Sequence, residues 1–168
     1  MPEPKEHAAR RNWVETILRY IPGFRGYLEK EYRRESDQLV RQWLAGRLAQ
    51  AKRALDELSR GLAEAGHLHL LTQLDRLRHR IDKLSGRISG AMAGYSGFFD
   101  YVRITERILD RIYEHDLGLM AAVDNVGSSI ASWTPDRLSQ ETITSLLSRL
   151  EELELAWDKR SHILEGID

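Results

Sequence analysis

The 168-residue chain contains no cysteine, which excludes disulfides, thiol nucleophiles and cysteine-based zinc sites. Proline is nearly as scarce, with four residues at positions 2, 4, 22 and 135, so the strongest helix breaker is missing from most of the chain. No apolar run approaches the roughly 20 residues needed to span a bilayer. The basic-then-apolar layout of a secretory signal is also missing, because Met1–Arg11 is mainly charged and holds two of the prolines. Cytoplasm is therefore the expected compartment, with association at a membrane surface as a variant. Glycine-rich phosphate loops, His-Glu-x-x-His and Ser-His-Asp arrangements are not found either.

What is present belongs to a folded, water-soluble domain: 42% hydrophobic and 30% charged residues, in a length that can bury one substantial core. The net charge of −1 hides a polarity along the chain. Residues 1–111 carry 21 Lys/Arg against 15 Asp/Glu, and residues 112–168 carry 4 against 11. An acidic end that neutralises a basic one, within a molecule or between copies, accounts for such a split. A basic surface kept for a partner is the sharper alternative.

Periodicity predicts helices throughout. The first is expected from Lys5 to Ile21, ended by Pro22-Gly23. A second, from Tyr27 to Ala65, carries Leu44, Leu48, Ala51, Leu55, Leu58 and Leu62 on one stripe, and Gly66 suits its left-handed end. In the third, Leu70, Leu74, Leu77, Ile81, Leu84, Ile88 and Ala91 alternate in steps of four and three, a heptad-like seam with no strand-like alternation. A fourth is expected from Phe98 to Ile130, with Tyr101, Ile104, Ile108, Ile112, Leu119, Val123, Val126 and Ile130 inward. Thr134-Pro135-Asp136 reads as the start of the last helix, which carries Ile143, Leu146, Leu150, Leu153 and Trp157. The expected fold is all-α: an antiparallel bundle of four principal helices over 23–168. The amphipathic helix of residues 1–22 is an arm or a fifth member, and the long helices allow an elongated shape.

Three features could carry function. On the arm, Trp13, Ile17, Tyr20 and Phe24 share a face flanked by Arg10, Arg11, Arg19 and Arg25. A basic amphipathic helix edged by Trp and Tyr suits an anionic membrane surface or a hydrophobic groove on a partner, and it also suits packing on its own bundle. On the third helix, Arg76, Arg80, Lys83 and Arg87 form a basic stripe about 110° from the leucine seam at 100° per residue. The last helix presents an acidic counterpart in Glu151, Glu154, Asp158 and Glu165. The two stripes are expected to face each other or a partner; nucleic acid is disfavoured because no aromatics interleave the basic one. Lastly, Gly86, Gly90, Gly94 and Gly97, beside Tyr95, Phe98 and Phe99, could form a hinge, a tight helix crossing, or a tip that grips a partner or dips into a membrane.

The search for chemistry returns little. Glu64 and His67 form a single Glu-x-x-His, where a di-iron bundle needs two such motifs and two further carboxylates. His115 falls within the fourth helix's apolar stripe, as a hydrogen-bonded core histidine does. Glu106, Asp110 and Glu114 each follow an arginine by three residues, at Arg103, Arg107 and Arg111, which makes a surface ladder rather than an acid–base pair. The turn Ile21-Pro22-Gly23-Phe24-Arg25-Gly26-Tyr27 reads as a docking element or as a cover for the bundle end. No cofactor or metal is expected. The leading expectation is a non-enzymatic interaction protein, an adaptor, scaffold or assembly subunit with a protein partner or a second copy. A peripheral membrane protein and a metal- or ligand-binding bundle are the alternatives.

Overall fold

The computed structural model describes residues 4–94 and 103–167. Among these residues are five α-helices and one 3-10 turn: α1 (Pro4–Tyr20), α2 (Lys30–Glu64), the 3-10 turn (Leu68–Leu70), α3 (Leu71–Gly94), α4 (Glu106–Ala131) and α5 (Gln140–Glu165). At 1.5 Å per residue, the 35 residues of α2 extend about 52 Å, so the bundle is long.

Cross-links between helices define the topology. Ser85 Oγ donates to the Ala45 carbonyl (3.2 Å), Lys52 meets Asp82 (2.7 Å) and Arg78 meets Asp56 (2.5 Å), so α2 and α3 form an antiparallel hairpin. Arg149 donates to Asn125 (2.7 Å) and His115 Nε2 lies 2.7 Å from the Ala156 carbonyl, which makes α4 and α5 a second one. The hairpins abut through α2 with α4 and α3 with α5. In both abutting pairs the helices run in the same direction. Arg47 of α2 faces Asp124 of α4 (3.7 Å), ten and eight residues beyond the level at which Asp37 and Asp116 share one arginine.

The leucine seams point into a single core. Leu44, Leu48, Leu55 and Leu62 of α2, Leu74, Leu77 and Ile81 of α3, Ile112 of α4 and Ile143, Leu146 and Leu150 of α5 are all at 0% exposure. α1 belongs to the same core: Ile17 is at 0% and packs with Ile21, Phe24 and Tyr27 from the connector that follows.

Helix ends follow local chemistry, with three departures from the expected bounds. α2 begins at Lys30 rather than Tyr27, because Tyr27 is drawn inward and residues 24–29 form a connector. α5 begins at Gln140, where Ser139 Oγ accepts from the Thr142 N–H (3.2 Å). Thr134-Pro135-Asp136 instead makes a turn, its Thr134 carbonyl accepting from Arg137 and Leu138 N–H. There Pro135 packs so near Gly61 that a Cβ on that glycine would lie 3.1 Å from the proline ring. α4 begins at Glu106, capped by Thr105 accepting from Ile108 N–H (3.3 Å); the expected start at Phe98 and the inward Tyr101 lie outside the described residues. Gly66 and Gly166 end α2 and α5 in the left-handed conformation.

Two groups of glycines behave in opposite ways. Gly26 sits at φ +84°, and a Cβ there would lie 2.5 Å from the Tyr113 hydroxyl oxygen. Gly86 and Gly90 are exposed, and a Cβ at either would meet nothing within 4 Å. Among the described residues they therefore serve no tight crossing, one of the roles the sequence suggested for them. Gly86→Ala and Gly90→Ala are expected to stabilise the protein by about 0.5–1 kcal/mol each. Gly26→Ala is expected to destabilise it by more than that, because it combines backbone strain with a clash. Urea midpoints at neutral pH check both signs.

Candidate functional site

The densest convergence of chemistry-bearing side chains lies inside the bundle, towards the end where α1 and the connector pack. Six side chains meet there: Tyr27 from the connector, Asp37 and Arg41 from α2, Asp116 from α4, and Trp157 and Arg160 from α5. Arg160 is 2% exposed, Arg41 2%, Asp37 4% and Asp116 0%. The Arg160 guanidinium donates through Nε to Asp116 Oδ1 (2.8 Å), through Nη1 to Asp37 Oδ1 (2.6 Å), and through Nη2 to the Tyr27 hydroxyl (3.0 Å) and Asp116 Oδ2 (3.2 Å). Asp37 Oδ2 accepts from Arg41 Nε (2.8 Å), and Arg41 Nη1 reaches the Ile88 carbonyl of α3 (3.3 Å). Tyr27 donates its own proton to Asp116 Oδ2 (2.5 Å). The Trp157 ring lies beside both guanidinium carbons, 4.8 Å from Arg41 and 5.6 Å from Arg160 to its centroid.

Two arginines and two aspartates alternate along this chain of contacts, so the buried charge sums to zero. Burial by itself would lower the pKa of Arg160, but the Asp116 and Asp37 carboxylates outweigh it and hold the guanidinium well above its ordinary value. Burial pushes the Tyr27 hydroxyl well above the ordinary tyrosine value; Asp116 adds to the shift and Arg160 opposes it. Tyr113 is raised by burial as well, against the Tyr27 N–H that donates to its oxygen (2.8 Å). Among the described residues, every buried side-chain nitrogen and oxygen has a partner. A cluster in which each buried polar atom has at least one partner holds the fold.

The register of the apolar seams contains the signal for these residues. Stepping back from Leu44 by three and then four gives Arg41 and Asp37, stepping on from Trp157 by three gives Arg160, and Asp116 stands between Ile112 and Leu119. A hydrophobicity criterion passes over all four. On α4 the seam runs through Asp116 rather than His115, whose ring is half-buried against the Ala156 carbonyl.

The candidate contact residues of the N-terminal segment divide between inside and outside. Ile17 and Phe24 are buried, at 0% and 2%, so they form core rather than a contact surface. Arg10 is also largely enclosed: it pairs with Asp110 and stands 3.7 Å from Glu106, so the expected ladder on α4 is joined from α1. The physical reason is the connector, which turns the apolar face of α1 onto α4. Trp13 is half-buried, and Arg11, Arg19 and Arg25 are exposed, with Arg25 over the Tyr32 ring at 4.7 Å. Tyr20, 53% exposed, meets Trp43 of α2 edge-on at 6.3 Å.

The charge stripes of α3 and α5 meet within the chain at two levels, Arg80 with Glu154 (2.7 Å) and Arg87 with Asp158. Arg76, Lys83, Glu151 and Glu165 are exposed. Gly94 is the last residue of α3, and Gly97 lies outside the described residues. No three His, Asp or Glu groups among the described residues are placed to hold a metal ion. None of the described helices is long and apolar enough to cross a membrane.

Between α2 and α4 a groove of about 270 Å³ opens beyond Trp43. Ala51 and Val123 form its floor, Ala54, Gly127 and Ala131 its walls, and the Arg47–Asp124 pair its near end. α1 lies along the earlier part of α4 and reaches α2 at Trp43, so this groove extends the line that α1 covers.

Two predictions test the buried cluster. Arg160→Met leaves two aspartates facing each other without their shared donor and is expected to lower stability by about 3–5 kcal/mol, read from urea unfolding. The pH dependence follows from Tyr27 and Tyr113: the unfolded chain releases tyrosine protons near pH ~10 while the folded chain retains them. Stability is therefore expected to be undiminished below that pH and to fall as pH rises above it. Tyr27→Phe is expected to lower stability at neutral pH by about 1–3 kcal/mol and to make the alkaline fall shallower, measured as urea midpoints from pH 7 to 11. Comparison with models of protein families, with curated proteins and with solved structures finds no match to this chain.

Proposed function

We propose that this chain is a non-enzymatic interaction protein, an adaptor, scaffold or assembly subunit that docks an amphipathic helix of a protein partner between α2 and α4. The observation that carries this reading is the groove beyond Trp43. Beside the polar Gln50 and Ser128, its lining holds the small residues Ala54, Gly127 and Ala131, which let a large apolar side chain from another helix approach the backbone. A Cβ on Gly127 would meet nothing within 4 Å, so the chain's own packing does not require glycine there. Glycine inside a helix costs about 1 kcal/mol relative to alanine, and a helix seated in the groove would offset that cost.

The continuity with α1 supports the same reading, since the earlier part of this line already accepts a helix. Arg47 and Asp124, more than 40% exposed each, stand at the junction and can fix the register of an incoming helix through its charges. A second copy of this chain would fill the groove in the same terms and make the protein a homo-oligomer.

A photo-crosslinking residue at Ser128, on the groove, compared with one at Glu57, outside it, tests this in cells. A discrete adduct from Ser128 that is missing from Glu57 and reduced at least about tenfold by Gly127→Arg is expected if the groove carries a buried contact. Equal labelling from both positions, or indifference to Gly127→Arg in a variant that keeps its helical circular dichroism, would overturn the proposal. The mass of the adduct separates a second copy from another protein.

A further inference from the structure

A second groove lies on the other flank of α4, and we propose that it binds a small amphipathic anion, an organic carboxylate or phosphate ester with an apolar tail. It occupies about 440 Å³ between α4 and α5, within the range of small-molecule sites. Gly118, which borders it, and Gly127 of the α2/α4 groove are nine residues apart, half a turn around the helix at 100° per residue. The two surfaces are therefore separate, and this inference does not depend on helix docking.

The lining has two chemistries in the order an amphipathic anion needs. Leu119, Ala156 and Ile163 close the floor with apolar atoms, and Arg111 and Lys159 stand at the rim with Glu114 as the single carboxylate. Lys159 is exposed and forms no ion pair among the described residues. Lys159 is one of only 4 basic residues against 11 acidic ones in the segment 112–168. His115 is fixed as a wall, because its Nε2 N–H donates to the Ala156 carbonyl at 2.7 Å. A headgroup held by Lys159 would place its tail along the floor, whereas an organic cation would meet the like charge of that lysine.

Gly118 keeps this space open. It lies in the interior of α4, is exposed, and a Cβ there would meet nothing within 4 Å. No contact within the chain calls for glycine at this position, and a larger side chain would project into the groove.

The test uses the full chain with octanoate, octyl phosphate and octyltrimethylammonium as probes, followed by ligand-observed and protein-observed NMR. The anions are expected to bind with dissociation constants in the millimolar range or below and to shift the His115 and Lys159 resonances, with the cation at least about tenfold weaker. Gly118→Leu is expected to abolish anion binding, and Lys159→Glu, at an exposed position that does not threaten folding, to weaken it about tenfold. Binding that is unchanged in Lys159→Glu, equal affinity for the cation, or no anion-dependent shift at up to ten millimolar would each overturn the proposal. Inorganic phosphate serves as a further arm: shifts equal to those with octyl phosphate would show that the apolar floor plays no part, and would overturn the amphipathic assignment.

Discussion

Arg160 is the residue around which the rest of this bundle is arranged. A guanidinium at 2% exposure is tolerable only if its charge is matched and its donors are used, since desolvation alone costs several kcal/mol per ion. Here it bonds to carboxylates from two different helices and to a hydroxyl from the connector, so one side chain ties α5 to α4, to α2 and to residue 27. The neighbouring bonds follow from the same requirement. Asp37 has a second oxygen, which Arg41 satisfies, and Asp116 has one that Tyr27 satisfies. The connector must then bring Tyr27 inward, which sets where α2 begins and requires glycine at position 26 against the Tyr113 hydroxyl.

Such a cluster supplies what a leucine seam cannot. Heptad seams are nearly self-similar when shifted by seven residues, so apolar packing alone distinguishes weakly between registers. A charge that must meet its counter-charge distinguishes strongly, because a shifted register leaves buried ions unpaired. The like-directed abutment of the two hairpins is thus specified at one end of the molecule by four charges. The surface pairs at Arg80–Glu154 and Arg87–Asp158 repeat the same alignment between α3 and α5 with weaker, solvent-screened contacts.

The outward surface is marked by glycines that the fold does not need. Gly86 and Gly90 on α3, and Gly118 and Gly127 on α4, all face open space. Each one weakens its helix, and two of them border grooves of different character: one where Ala51, Ala54, Val123 and Ala131 stand among Arg47, Gln50, Asp124 and Ser128, the other with an apolar floor and Arg111, Lys159 and Glu114 around it.

Local patterning determined the helical content, the seams of α2 to α5 and the left-handed end at Gly66, since each depends on residues within a few turns of one another. The same patterning supplied the opposite charges of α3 and α5. It misplaced the start of α5, because Thr134-Pro135-Asp136 satisfies every local rule for a helix N-terminus while the packing of Pro135 against Gly61 of α2 decides otherwise. It also put the start of α2 at Tyr27 and left the N-terminal segment open between an arm and a fifth member of the bundle. Only the tertiary structure, by bringing Tyr27 within reach of Asp116 and Arg160, 89 and 133 residues away, determined that the connector and α1 belong to the core. Buried charges become legible when their partners are known, and those partners are distant in the chain because a buried ion must find its counter-ion on another helix.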